Sequence, residues 1–234
     1  MRKTWYIAHR GASHDAPENT LPAFKLAWEQ GADGIECDVR LTADGRLVCL
    51  HDPGTGRVAG RDLVVAESTL ADLQQVHPIP TLEEVLALVP EGKRIVIEIK
   101  SGKAILERLE KAVAGSGLQV GQIVLIAFVG NVISGAKTSM PQYKAHLLSG
   151  VPEGKMRDEG RDNLIRRVKA LGADGADVCA HPGLDRYFVE AFHGAGLELH
   201  AWTVDDPAEA KRLAEAGVDS ITTNRPGVIR AERL

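Results

Sequence analysis

Three segments of this chain share one boundary: Gln30-Gly31-Ala32-Asp33, Leu171-Gly172-Ala173-Asp174 and Ala216-Gly217-Val218-Asp219. Each reads as a helix closed by a glycine cap and followed at once by a strand. Runs rich in Val, Ile and Leu recur between helical stretches. They predict strands at 5–9, 34–38, 94–100, 123–128, 143–148, 174–179, 197–202 and 218–222. Amphipathic spacing is clearest at 19–30 and 207–216, which predicts helices there. Eight strands alternating with helices over 234 residues predict an α/β fold, a TIM (β/α)8 barrel with a closed parallel sheet. A doubly wound open sheet is the rival, but no G-x-G-x-x-G fingerprint follows the first strand.

One segment breaks the alternation. From Asp38 to His51 the chain runs D-V-R-L-T-A-D-G-R-L-V-C-L-H, two extended arms around Asp44-Gly45. Asp-Gly favours a two-residue hairpin turn. With that turn Ala43 faces Arg46 and Asp38 pairs with His51, which returns His51 to the place where Asp38 sits. Residues 53–80 show no clear strand or helix order and are expected as an insertion at the barrel mouth, a lid or substrate-shaping segment. Residues 39–80 then form a hairpin plus a small insertion after the second strand, within one domain spanning 1–234.

Hydrophobic residues at 44 % and charged residues at 26 % fit a soluble globular chain, and aromatics at 4 % leave the core to aliphatic side chains. A net charge of −4 argues against a nucleic-acid or anionic-membrane surface and for a small-molecule partner. Cys37, Cys49 and Cys179 lie in apolar strand-like runs without CxxC spacing and read as buried reduced thiols. The first strand begins almost at the initiator, so no signal peptide is expected. No apolar stretch approaches the ~20 residues of a membrane span, so no stable membrane insertion is expected and the location expected is cytoplasmic.

The chemistry-bearing residues stand at strand ends: His9-Arg10-Gly11, Glu36-Cys37-Asp38, His51-Asp52 and Glu98-Ile99-Lys100. Charge at the end of a buried strand has to be paired, bound to metal or used. Barrel active sites lie at the carboxyl ends of the strands. Residues i and i+2 of a strand share a face, so Glu36 and Asp38 sit side by side and repel unless a cation lies between them. With Glu98 from another strand they form an oxygen-only set suited to one Mg²⁺ or Ca²⁺ ion. The plainer alternative, in which the acids pair with Arg10 and Lys100, loses weight because two histidines accompany them.

His9 and His51 titrate near neutrality and suit general acid–base work. Arg10 and Lys100 suit a phosphate clamp, the first as a fork and the second as a point charge, while also balancing the acids. His14, His77, His146 and His193 read as packed or surface residues. His181 and His200 stand in or after late strands and are candidates for lining the pocket. Glu18-Asn19-Thr20 reads as a helix start with Asn19 or Glu18 near the N-cap. Trp202, at a strand's carboxyl end, is expected to form an apolar wall. An acid–base pair, a hard-cation cage and an anion clamp together point to metal-assisted phosphodiester hydrolysis.

With those residues assembled, the chain resembles the glycerophosphodiester phosphodiesterase family. The matching strings are His9-Arg10-Gly11, Pro17-Glu18-Asn19-Thr20, Glu36-Cys37-Asp38-Val39, His51-Asp52, Glu98-Ile99-Lys100, Trp202-Thr203-Val204-Asp205, and Gly217-Val218-Asp219 with Thr223-Asn224-Arg225-Pro226. The resemblance implies a TIM barrel that hydrolyses glycerophosphodiesters to sn-glycerol 3-phosphate and an alcohol. It also implies a divalent metal on Glu36, Asp38 and Glu98, an acid–base pair in His9 and His51, phosphate contacts from Arg10 and Lys100, and a pocket wall in Trp202. The chain departs from the family at Ala127-Phe128-Val129-Gly130, where many members carry a Ser-Phe-Asp-like motif. The expected consequence is a changed pocket lining and a changed choice of alcohol. Two other readings remain: a related barrel phosphodiesterase for lysophospholipids or other phosphodiesters, and a non-catalytic phosphate-binding barrel.

Overall fold

The computed structural model describes residues 3–150 and 157–231. The ends of the expected 1–234 domain, and residues 151–156, lie outside the described residues. The strands are β1 (Trp5–His9), β2 (Gly34–Leu41), β3 (Leu47–Cys49), β4 (Arg94–Ile99), β5 (Ile123–Ala127), β6 (Lys144–Ser149), β7 (Gly175–Cys179), β8 (Glu198–Trp202) and β9 (Ser220–Thr223). All but β3 are parallel and close a ring in the order β1-β2-β4-β5-β6-β7-β8-β9, with β9 pairing back onto β1. The TIM barrel read from the sequence is therefore the fold, with one extra antiparallel strand hung on β2.

The helices are α1 (Leu21–Glu29), α2 (Gly56–Ala59), α3 (Leu70–Gln74), α4 (Leu82–Leu86), α5 (Leu106–Gly115), α6 (Gly130–Ser139), α7 (Arg157–Ala170), α8 (Arg186–Gly194), α9 (Pro207–Ala216) and α10 (Pro226–Ala231). Strand residues alternate between two cores. Ile35, Cys37, Val39, Ile95 and Ile97 pack with the helices, while Ile7, Val96, Val124, Ile126 and Leu148 fill the barrel. Each fully buried aliphatic side chain of this kind stabilises the fold by about 1.5–3 kcal/mol. The three repeated boundaries all carry left-handed glycines, with φ +79° at Gly31, +67° at Gly172 and +96° at Gly217.

The expected strand bounds shift by a few residues at most, and the 207–216 helix is found as α9. The 19–30 helix begins at Leu21, and its N-cap is Thr20, whose hydroxyl accepts from the Ala23 amide; neither Glu18 nor Asn19 caps it. The hairpin register is also corrected. Val39 pairs with Cys49 and Leu41 with Leu47, so Leu50, and not His51, stands opposite Asp38. Thr42 N–H donates to the Arg46 carbonyl and Gly45 N–H to the Thr42 carbonyl, which closes a three-residue loop, Ala43-Asp44-Gly45. Gly45 sits at φ +76°, the left-handed position such a loop demands, and this moves the pairing by one residue from the two-residue turn. The expected facing of Ala43 and Arg46 falls with it.

The 53–80 segment is more ordered than its sequence suggested. It carries α2, a short 3-10 turn at Val65–Glu67 and α3 around a small core of Val48, Leu50, Val65, Leu73 and Ile79. Reciprocal capping boxes start two of the short helices, Thr69 with Asp72 at α3 and Thr81 with Glu84 at α4. All three thiols are free, but only Cys37 and Cys49 are buried; Cys179 is partly exposed. Among the described residues no helix is long and apolar enough to cross a membrane.

Candidate active site

His9 ends β1, and its imidazole Nδ1 lies 2.7 Å from Oδ1 of Asn224, just past β9. The Asn224 amide cannot be the other way round, because its Nδ2 donates to Asp205 Oδ2 at 2.7 Å. Ser13 also donates to Asn224 Oδ1, at 2.9 Å. His9 therefore carries its proton on Nδ1 and presents an Nε2 lone pair, 4.0 Å from Glu36 Oε2. Burial first, and then the Arg10 charge, lower the His9 pKa below its ordinary value, against the Asn224 bond that raises it. The turn after His9 needs Gly11, whose φ is +83° and where a Cβ would stand 2.6 Å from the Ala23 carbonyl carbon.

The carboxylates of Glu36 and Asp38 on β2 and Glu98 on β4 meet above the barrel core, with Asp38 in register with Glu98. One oxygen from each lies within 4.8 Å of the others. Glu36 Oε2 accepts the Arg10 amide at 3.0 Å, and Asp38 Oδ2 accepts from Asn19 Nδ2 at 2.8 Å. The remaining oxygens, Glu36 Oε1 and Asp38 Oδ1, are buried without a hydrogen bond. Burial and the Asp38 and Glu98 charges push Glu36 well above the usual carboxylate range. Burial likewise lifts Glu98, to about 7, although Lys100 opposes it. Burial also opposes ionisation of Asp38, but Lys100 and Arg10 outweigh it and hold that pKa low. Arg10 Nε lies 3.1 Å from Asp38, and Lys100 Nζ lies 2.6 Å from Glu98 and 3.2 Å from Asp38. An oxygen cluster with two buried atoms that accept no hydrogen bond, and three carboxylates against two cations, fits a hard divalent cation.

His51 follows β3 and faces the same cavity; its carbonyl accepts from Arg40 Nε and Nη2 at 3.0 and 2.6 Å. Its Nδ1 lies 2.7 Å from Asp52 Oδ1. The other Asp52 oxygen accepts from Arg57 of α2, and Arg57 also donates to Glu18 at 2.7 and 2.9 Å. The two rings are thus backed differently: His9 by a neutral amide oxygen, with burial and Arg10 favouring its neutral form, and His51 by a carboxylate.

These groups line one cavity of about 300 Å³, which holds His9, Arg10, Glu36, His51, Glu98 and Lys100 on its polar side. Asp38 lies beneath it, fully buried. Ile126, Phe128, Leu148 and Trp202 form the apolar side, so Trp202 stands where a wall was expected. Its indole N–H donates to the Asp177 carbonyl at 3.1 Å, and Phe128 meets it edge-on at 5.7 Å. Ala127 points outward into the helical layer and Val129 is 53 % exposed, so neither departing side chain lines the cavity, and of this segment only Phe128, which the family motif shares, does. His181 and His200, candidates for the lining, are absent from it; His200 is buried deeper in the barrel.

A model of the glycerophosphoryl diester phosphodiesterase family matches residues 9–228. The chain belongs to that family. It is 34 % identical over 246 residues to a glycerophosphodiester phosphodiesterase of Caldanaerobacter subterraneus subsp. tengcongensis, covering 96 % of this chain and 95 % of that one. It is 29 % identical to a glycerophosphodiester phosphodiesterase of Bacillus subtilis, covering 94 % of this chain and 83 % of that one. The fold matches a phosphodiesterase of Oleispira antarctica, solved with the product sn-glycerol-3-phosphate, at TM-score 0.87 and 24 % identity, over 98 % and 96 % of the two chains.

As a member of this phosphodiesterase family the chain is an enzyme, and the residues behind its cavity include partners that the sequence did not reveal. Asn224 and Asp205 belong to strings shared with the family, yet only the closed barrel shows that one positions His9 and the other positions Asn224. Asn19, read as a cap, is a ligand of Asp38 through both its amide atoms. Arg57 left no signal, being one basic residue in a segment without periodicity.

Proposed function

We propose that this chain hydrolyses glycerophosphodiesters to sn-glycerol 3-phosphate and an alcohol, in a single cytoplasmic domain spanning 1–234, with His9 as general base and His51 as general acid. The observation that carries the reading is the unlike backing of two histidines facing one cavity: an amide oxygen behind His9 and a carboxylate behind His51. His9 Nε2 takes the proton of the attacking hydroxyl as its oxygen bonds to phosphorus. The bond from phosphorus to the alcohol oxygen breaks, and His51 Nε2 gives that oxygen a proton while Asp52 balances the charge on the ring. That hydroxyl belongs to water, or to the substrate's own vicinal carbon with a cyclic phosphate hydrolysed afterwards.

Glu36, Asp38 and Glu98 would hold one Mg²⁺ or Ca²⁺, which when bound supplies Lewis-acid stabilisation of the phosphoryl oxygens. Arg10 and Lys100 bring positive charge to the same wall and clamp the phosphate. Trp202 and Phe128 shape the apolar side. The free thiols agree with a reducing compartment.

The test is release of sn-glycerol 3-phosphate from glycerophosphocholine and glycerophosphoethanolamine, with chelator and with Mg²⁺ or Ca²⁺ restored. Metal-dependent release is expected; no release from either diester with metal present overturns the reading. A second reading, an acyl-bearing diester, is favoured by Phe128 and Val129, 46 % and 53 % exposed beside the cavity. Faster cleavage of lysophosphatidylcholine than of glycerophosphocholine identifies it.

A further inference from the structure

The barrel interior holds a second polar cluster, of whose members only Asp177 also lines the cavity of the hydrolytic site. His146 on β6, Asp177 on β7, and Glu198 and His200 on β8 gather on one side of the barrel, where Asp177 stands in register with His200. His146 is 0 % exposed, His200 2 % and Asp177 3 %. One oxygen of Asp177 faces both rings through their Nδ1 atoms. It accepts from His146 at 3.1 Å and lies 3.2 Å from His200. Both Nε2 atoms are thereby turned toward Glu198 Oε2, at 3.4 Å from His146 and 3.6 Å from His200. Those three atoms are buried, and none makes a hydrogen bond.

Three unpartnered polar atoms at one buried point require an explanation. A hydrogen-bonded arrangement would draw nitrogen and oxygen to about 2.9 Å. A tetrahedral ion with ligands about 2.1 Å away instead separates them by about 3.4 Å, and the separations found are 3.4 and 3.6 Å. The potential ligand atoms of His146, Glu198 and His200 all lie within 4.8 Å of one another. A carboxylate behind the imidazoles is also the outer-sphere arrangement that fixes a metal-binding tautomer.

We propose that His146, Glu198 and His200 form a second metal site inside the barrel, for Zn²⁺ or a similar nitrogen-preferring ion, with Asp177 orienting both imidazoles. Three protein ligands leave one tetrahedral position to a non-protein ligand. The two sites sort ions by chemistry: oxygen donors alone at the cavity, two imidazoles and one carboxylate here. An ion at this point ties β6 to β8 across β7, whose Asp177 carbonyl holds the Trp202 indole. The protein-only rival is an ion network. In it burial lowers the His200 pKa, but Asp177 and Glu198 overcome this and lift it to about 9, while Lys144 pairs with the other oxygen of Glu198.

The experiment strips the full-length protein with chelator, saturates it with Mg²⁺ to occupy the oxygen site, and titrates it with Zn²⁺ and then Co²⁺. One equivalent of Zn²⁺ is expected to remain bound against Mg²⁺ and to raise Tm. X-ray absorption should count two imidazoles on it, and Co²⁺ should show the intense visible bands of a tetrahedral, nitrogen-ligated ion. Glu198→Gln and His146→Gln should each weaken Zn²⁺ binding at least about tenfold. The proposal is overturned if wild type retains no Zn²⁺, if the bound ion shows no imidazole, or if Glu36→Gln abolishes binding while Glu198→Gln leaves it intact. If the variants fail to fold, the imidazole count on wild type still decides.

Discussion

Arg57 Nε donates to Asp52 Oδ2 at 2.5 Å, while the other oxygen of that carboxylate lies 2.7 Å from His51 Nδ1. A residue of the insertion thus orients a histidine of the cavity through a single carboxylate. Arg57→Ala is expected to lower kcat by about 10-fold, part of the 10²–10⁴-fold that a positioned proton-transfer group supplies. The Mg²⁺ concentration for half-maximal activity should not change. Steady-state kinetics at several Mg²⁺ concentrations check both, and an unchanged kcat removes Arg57 from the relay.

Asn224 fixes the tautomer of His9 by accepting from its Nδ1, while burial and Arg10 favour the neutral ring; a carboxylate in place of the amide would favour the protonated ring far more strongly. A base works above its pKa, so Asn224→Asp should move the acid limb of the kcat/KM profile to higher pH. If that limb stays where it is in wild type, it belongs to a group other than His9.

Either His9→Ala or His51→Ala should lower turnover of glycerophosphocholine at least ~10²-fold. The two variants should separate on an aryl phosphodiester, whose leaving group needs no proton. Activity should return largely in His51→Ala and not in His9→Ala; the reverse pattern exchanges their roles.

Metal removal should make the protein's stability fall as pH rises. Glu98 is raised to about 7 from an ordinary 4.5, by burial against the opposing Lys100, and Glu36 is raised in the same direction. Carboxyls raised in this way bind protons more tightly in the folded chain than in the unfolded one. Stability is therefore lost as pH climbs from about 4.5 to about 7. Melting with chelator should show Tm falling across that window, and saturating Mg²⁺ should flatten the fall. A chelated Tm that rises there means that Glu36 and Glu98 do not share an uncompensated cage.

Much of this was legible because it is local. An apolar run followed by charge marks a strand ending in the site, and so His9, Arg10, Glu36, Glu98 and Lys100 could be named before any fold was known. Trp202 was placed by the same rule. The hairpin register was not legible, since Asp44-Gly45 serves equally in a two-residue and a three-residue loop, and only the Thr42 hydrogen bonds decide. Asn224 was hidden by distance, standing 215 residues from the ring it holds. His146 and His200 were hidden by isolation, each a lone histidine among apolar neighbours until β7 sets Asp177 between them.

The pairing of β1 with β9 gives the barrel a seam between the two ends of the chain. His9 lies on one lip of that seam and Asn224 on the other. A nascent chain has both histidines and all three carboxylates in hand well before its last strand exists, yet the proposed base still lacks the partner that sets its proton. Hydrolysis should therefore begin only when the ring shuts, which makes turnover a report on completed assembly and leaves truncated chains silent.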